Sequence, residues 1–245
     1  MVIDFFAQPS AQTSDLSSLA LLSGGGAAMP EAVAKMLFDK FGLSYNEAYG
    51  LSETAAFLHA NPLGRGKRQC LGMPTQGVHS RIIDPQTLQV LPQGEVGELV
   101  TRGAQVMRGY WRRDDETAKV MLPDGWLRTG DVGRMDEKGY FFLEDRKKDM
   151  ITVSGFKVYP NEVEAVAARH PGVFEAAAIG EPDEHSGEVV ALYVVKKDPA
   201  VTAEDIVTFM RQSLTSYKVP RKVHFRTELP KTNVGKILRR ALRDV

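Results

Sequence analysis

"DRKKDMITVSGFKVYPNEVE", residues 145–164, is the stretch at which the chain changes character. Residues 146–160 read as a basic turn followed by a β-hairpin. Asn161 is predicted to cap a helix over 161–170. Glu162 and Glu164 fall in its first turn, and Arg169 and His170 in its last, the polarity that the helix dipole favours. Further on, strands are predicted at 173–180 and 188–196. Thr202 with Asp205 has the spacing of a capping box ahead of "IVTFMRQSL" at 206–214. Residues 146–245 therefore read as a compact α+β domain.

Upstream the texture differs. Residues 71–145 hold the short strand-like runs "GVHSRIID", "GELVTRG", "DVGRMD" and "GYFFLED". Turn chemistry separates them at Asp84-Pro85, Pro92-Gln93-Gly94, Pro123-Asp124-Gly125 and 136–139. This is a β-rich, barrel-like section. The first ~60 residues read as an α/β unit. "SDLSSLALL" at 14–22 is expected to form a short buried strand ending in the glycine turn of "SGGGAAMP" at 23–30. Val33, Met36, Leu37 and Phe41 share one face of a helix over 31–42, with Gly42 as its C-cap, and "LSYNEAYG" at 43–50 is the next strand.

Composition narrows the function. Lys plus Arg and Asp plus Glu are both 31, so no global field draws in nucleic acid or an anionic membrane, and any anion site must be local. One cysteine excludes a disulfide framework and fits a reducing compartment, and the five histidines make no HExxH, nor is there a CxxC. No run approaches the ~20 apolar residues of a membrane span, and "MVIDFFAQPS" lacks the basic start of a signal peptide. A soluble cytoplasmic protein is expected.

Several polar clusters could carry chemistry, and each has a plain alternative. Gly24, Gly25 and Gly26 fit a nucleotide loop or an ordinary turn. Met29 breaks the GxGxxG pattern, and no GxxxxGK[ST] occurs. "YGLSETA" at 49–55 sets an aromatic, a glycine, hydroxyls and a carboxylate after a predicted strand, where open α/β sheets bind ligands, but it also reads as a surface loop. Asp131 in "WLRTGD" could hold both hydroxyls of a ribose or could sit in a turn. The run Asp145–Asp149 suits a solvated face. Lys231, Lys236, Arg239 and Arg240 in and beside "TNVGKILRR" all suit solvent contact.

The order of these clusters is what distinguishes the chain. From "SGGGAAMP" through "YGLSET", "GELVTRGAQVMRGYW", "GWLRTGD" and "DRKKDMITVSGFKVYPNEVE" to "LPKTNVGKILRR", the sequence resembles the adenylate-forming superfamily: acyl-CoA synthetases, carrier-loading adenylation domains and firefly luciferases. The last two stretches are most similar to bacterial long-chain fatty-acid–CoA ligases. The resemblance implies a remnant of the large N-terminal domain, an α/β unit (1–70) plus a barrel-like section (71–145), followed by a small mobile C-terminal domain (146–245) hinged at Asp145. It implies that Gly24, Gly25 and Gly26 lie against adenine, that Tyr49 with Gly50 stacks on it, and that Ser52 touches phosphate where the family usually has threonine. Glu53 would be the Mg²⁺-linked glutamate, Asp131 the ribose ligand and Arg146 a second ribose contact. Gly155, Phe156 and Lys157 would line the pantetheine tunnel. Lys236 would bridge carboxylate and α-phosphate during adenylation. Ala48 departs from a glycine common in the family.

The implied substrates are a fatty acid, ATP and coenzyme A, with AMP as product and Mg²⁺ as metal. The resemblance admits peripheral attachment of the parent protein at the inner membrane, and a homo-oligomer covering an apolar face left open in residues 1–70. The family's pyrophosphate loop has no counterpart in this sequence, so adenylation by this chain alone is not expected and Lys236 should be idle in it. Two other readings stay open: a non-catalytic nucleotide- or CoA-binding or regulatory fragment, and an adenylation domain that loads a carrier protein.

Overall fold

Strand β1 (Leu22–Gly25) runs parallel to β2 (Tyr45–Gly50), pairing Leu22 with Tyr45 and Gly25 with Ala48, and the helix α1 (Glu31–Phe41) connects them. The computed structural model describes residues 5, 8–12, 14–26, 29, 31–55, 57–232 and 237–243. Contacts divide the chain into two units, Met1–Leu143 and Glu144–Val245. The fold is mixed α/β, with three sheets and short helices among the described residues.

In the first unit, β1 starts later than the sequence suggests. Residues 14–21 form no strand. The N–H of Ser17 donates to the Asp15 carboxylate (2.9 Å) and that of Leu19 to the Leu16 carbonyl (3.0 Å), so the segment turns instead of extending. The glycines themselves form the strand. A Cβ on Gly25 would overlap the Ala48 carbonyl oxygen of β2, and one on Gly24 the Tyr45 hydroxyl. Gly42 ends α1 with φ +67° and donates to the Phe38 carbonyl at 2.8 Å, the predicted C-cap. Leu37 of α1 is buried, but Met36 is not: it and Phe38 are about half exposed.

A 3-10 turn (Ser52–Thr54) leads into β3 (Phe57–Ala60), which pairs antiparallel with β2 on one side and with β4 (Met73–Pro74) on the other. A second sheet contains β5 (His79–Ile83), β6 (Gly97–Arg102), β7 (Met121–Leu122), β8 (Trp126–Met135) and β9 (Phe141–Arg146), with α2 (Asp114–Val120) between β6 and β7. Its order is β5-β6-β8-β7, with β9 on β8. Tyr49, Leu58, Val78, Ile82, Leu99 and Phe141 make a core shared by the two sheets.

In the second unit, β10 (Ile151–Val153) and β11 (Phe156–Val158) form the predicted hairpin. Ser154 and Gly155 close it with φ +50° and +85°, the two positive values of a type I′ turn. Then come α3 (Pro160–Ala167), β12 (Val173–Asp183), β13 (Gly187–Lys196), α4 (Ala203–Arg211), β14 (Lys222–Arg226) and α5 (Arg240–Arg243). The sheet order is β11-β10-β13-β12, with β14 parallel to β13. Ile151, Val163, Leu192, Ile206 and Met210 anchor a core between this sheet and α3 and α4. Thr202 and Asp205 cap α4 reciprocally: the Asp205 N–H donates to Thr202 Oγ1 (3.2 Å) and the Thr202 N–H to Asp205 Oδ2 (2.9 Å). The cap of α3 is not Asn161. Pro160 occupies the first helical position, Tyr159 stands at the cap without a side-chain bond, and the helix ends at Ala167, before Arg169 and His170.

Candidate functional site

The first unit brings together two residues 82 apart in sequence. The Tyr49 hydroxyl donates to Asp131 Oδ2 at 2.6 Å, a buried hydrogen bond linking β2 to β8. Tyr49 is 8% and Asp131 2% exposed. Asp131 lies inside β8 and not in a turn, and its own N–H donates to Thr129 Oγ1 (3.1 Å). A bulge in the ladder sits here: Tyr49 pairs with His59, but Gly50 pairs with Phe57. Bulges re-aim the side chains beside them.

Ser52 and Glu53 follow on the 3-10 turn. Ser52 is exposed and Glu53 half-buried. The Glu53 carboxylate accepts from the Tyr110 hydroxyl (2.9 Å), and its carbonyl accepts the Met107 N–H (2.7 Å), fixing the turn to the segment after β6. Burial first, and then the Glu53 carboxylate beside it, raise the Tyr110 phenol above its ordinary value. Thr54 is fully buried. Its hydroxyl donates to the Leu51 carbonyl (2.9 Å) and accepts the Leu51 N–H (3.1 Å), which closes the turn. Gly24 and Gly25 have steric reasons within the sheet to be glycine, and Gly26 has φ +89°. Among the described residues no group of three or more His, Cys, Asp or Glu could hold a metal. A Mg²⁺ ion at Glu53 would thus have to be held mostly by phosphates and water, its usual mode in nucleotide sites.

The second unit contains the other candidates. Gly155 is the turn residue of the β10–β11 hairpin, and Phe156 and Lys157 beyond it are exposed. The Phe156 ring stacks on Tyr217 with centroids 4.8 Å apart. Arg146 is exposed, and its N–H donates to Asp145 Oδ1 (2.7 Å). Asp145 is fully buried. Its carboxylate also accepts the Asn161 N–H (2.7 Å) and meets the Arg239 guanidinium (3.4 Å), so its partners belong to the second unit. Burial raises the Asp145 carboxyl above the usual range, and Arg239 opposes that. Lys236 lies outside the described residues.

Arg239 is not the solvent contact the sequence suggested. Its side chain is 15% exposed, grips Glu164 through two parallel bonds (2.9 and 2.8 Å), and donates to Asn161 Oδ1 (2.7 Å) as well as approaching Asp145 and Asp149. Burial raises Glu164, while Arg239 pulls it back. Arg239 is thus the centre of a cluster of three carboxylates. Thr54, one of the two hydroxyls of "YGLSETA" read as possible phosphate ligands, is buried and bonded to Leu51 instead. His59 and Tyr110 escaped the sequence reading. Tyr110 had a signal, since it lies in the quoted "RGYW"; His59 had none.

The comparisons agree with this architecture. The AMP-binding enzyme family model matches residues 1–111, and that of the AMP-binding enzyme C-terminal domain matches residues 162–236. A long-chain-fatty-acid–CoA ligase of Escherichia coli O157:H7 is 50% identical over 234 residues, 95% of this chain and 41% of that protein. The chain therefore spans less than half the length of this curated relative. Among solved structures, the amide bond synthetase McbA from Marinactinospora thermotolerans superposes with a TM-score of 0.89 at 37% identity, over 99% of this chain and 50% of that one. ATP-bound MatB from Rhodopseudomonas palustris gives 0.88 at 34% identity, over 91% and 45%. With the two family models matching in order along one sequence, the chain belongs to the AMP-binding, adenylate-forming enzyme family, of which it carries the C-terminal part.

Proposed function

We propose that this chain is the C-terminal portion of an ATP-dependent fatty acyl-CoA ligase. In the first step a fatty-acid carboxylate oxygen attacks the α-phosphorus of ATP, the α–β phosphoanhydride bond breaks, and acyl-AMP and pyrophosphate form. In the second, the coenzyme A thiolate attacks the acyl carbon, the acyl–phosphate bond breaks, and AMP leaves. The observation that carries the reading is the buried Tyr49–Asp131 hydrogen bond, which joins two separate family motifs at one place. Identity to the Escherichia coli ligase supports the fatty-acid substrate.

In this reading Gly24, Gly25, Gly26, Tyr49 and Gly50 border the adenine, and Asp131 and Arg146 take the ribose hydroxyls. Ser52 bonds phosphate. Glu53 would hold Mg²⁺ together with the phosphates, and the ion supplies positive charge where two anions must meet. Gly155, Phe156 and Lys157 border pantetheine. Lys236 is the point charge of the parent enzyme's first step, a task for which a compact ammonium on a flexible stem is suited. Asp145 is the hinge between the two half-reactions.

Calorimetric titration with AMP tests the site. We expect binding by the chain, and a loss of at least tenfold in affinity on Asp131→Ala, about 1.4 kcal/mol. No heat of binding at millimolar AMP would reject the assignment. A second reading is a nucleotide- or CoA-binding module without adenylation activity, since this sequence holds no counterpart of the family's pyrophosphate loop. Pyrophosphate exchange with a fatty acid tests the inactivity common to both: we expect none from this chain alone, and robust turnover would contradict it. Calorimetry with AMP and CoA beside a search for a co-purifying partner separates the two, binding without any catalytic partner favouring the second. A homo-oligomer that covers the exposed Met36 and Phe38 belongs to either reading.

A further inference from the structure

His59 lies on β3 directly opposite Tyr49 in the antiparallel ladder, at the edge of the bulge, with β4 on its other side. It is fully buried. Its ring fills the space between two aromatic neighbours: the Tyr49 centroid is 5.5 Å away and the Phe141 centroid 4.7 Å. Cross-strand pairs of this kind set where each ring can rest.

The imidazole is also fixed in rotation. Nε2 is 2.7 Å from Ser80 Oγ, which is 3.3 Å from Thr101 Oγ1, and the Thr101 hydroxyl donates to the His79 carbonyl at 3.2 Å. Each hydroxyl has one proton. Because Thr101 gives its proton to His79, Ser80 donates to Thr101, and Ser80 is left to accept from His59. The proton of the neutral ring therefore sits on Nε2, and Nδ1 carries a lone pair. Nδ1 is buried with no hydrogen-bond partner.

A buried polar atom without a partner costs stability and calls for an explanation. A phenylalanine would fill this space without that cost. What it could not supply is one directed N–H that stops the ring from turning. We propose that His59 is a positioning residue for the Tyr49–Asp131 pair: its Ser80-tethered ring fixes the plane of Tyr49, and so the direction in which Tyr49 presents its hydroxyl to Asp131 and its face to a nucleotide base. The proposal rests on the nucleotide reading of Tyr49 and Asp131.

AMP titration and thermal unfolding of the whole chain, measured side by side, test it. In His59→Phe we expect a melting temperature equal to or above that of the wild type together with about tenfold weaker AMP binding. His59→Gln, whose amide can still donate to Ser80, should keep AMP affinity within about threefold. A residue that only fills the core would show the same or a higher melting temperature with unchanged affinity. Nitrogen-15 chemical shifts of the His59 ring give an independent readout, and we expect the pattern of an Nε2-protonated neutral imidazole. His59→Phe with wild-type affinity, or a ring protonated at Nδ1, would overturn the proposal alone. A wild-type chain that binds no AMP would remove the nucleotide reading and the proposal with it, so the two failures are distinguishable.

Discussion

At the scale of single residues, burial decides what each polar group can do. Asp131 is an ordinary carboxylate in an ordinary turn when read in sequence; inside β8 it accepts from Tyr49 in a setting from which water is excluded. Tyr49→Phe should therefore destabilise the chain by about 1–3 kcal/mol, because Asp131 loses a buried donor. Urea denaturation measures this, and an unchanged midpoint at unchanged slope would contradict it. His59 gives a pH prediction. Burial lowers its pKa from 6.5 to about 3, so the folded chain keeps it neutral where the unfolded chain would protonate it. The unfolded state binds the extra proton, so stability is complete above pH 6.5 and declines from there towards pH 3. The share due to His59 should reach about 2 kcal/mol by pH 5, as the difference in acid sensitivity between the wild type and His59→Phe. Parallel pH profiles would refute it.

At the scale of elements, one arginine holds several segments of the second unit. Arg239 ties the residues before α5 to Glu164 of α3, to Asn161 and to Asp145 and Asp149 near the start of the unit. The Lys231–Ile237 bridge and the Leu238 N–H to Pro230 carbonyl bond (2.8 Å) hold the same terminal segment to the residues that follow β14. Arg239→Gln leaves three carboxylates in a confined space without their shared cation. We expect a loss of about 3–5 kcal/mol, the range for breaking a buried pair from one side, read by denaturation of the whole chain. A loss under about 1 kcal/mol would mean that the guanidinium is as weakly coupled as a surface cation.

At the scale of the whole molecule, apolar surface stays open in the first unit. Met36 and Phe38 of α1, with Leu19, Leu21 and Phe57, are exposed. Exposed apolar groups of this size favour association when they form a patch. We expect concentration-dependent self-association in sedimentation velocity, reduced by the double variant Met36→Lys and Phe38→Lys. A monomer over the full concentration range would exclude an oligomer through this face. Among the described residues no helix is long and apolar enough to cross a membrane.

Much of the fold was legible in local chemistry. The type I′ hairpin around Ser154-Gly155, the Thr202–Asp205 capping box and the Gly42 C-cap follow from glycines and short polar side chains at fixed offsets, interactions that close within a few residues. The family, too, was readable from the order of its motifs. Other features depended on residues far apart in sequence. No local pattern says that position 25 of β1 must be glycine, because the reason is the carbonyl of Ala48 on the next strand. Pro160 displaced Asn161 from the helix cap, and Asn161 serves Asp145 and Arg239 instead. Arg239 looked like a solvent cation because it stands in a basic run; the carboxylates around it come from residues 75–94 positions away. His59 stood in an apolar run with no motif to mark it. The sequence by itself determined the family, the elements and most of their ends, since these rest on short-range geometry. Only the tertiary structure decided which polar side chains are buried and what they meet, because burial and pairing are properties of strands brought together across the chain.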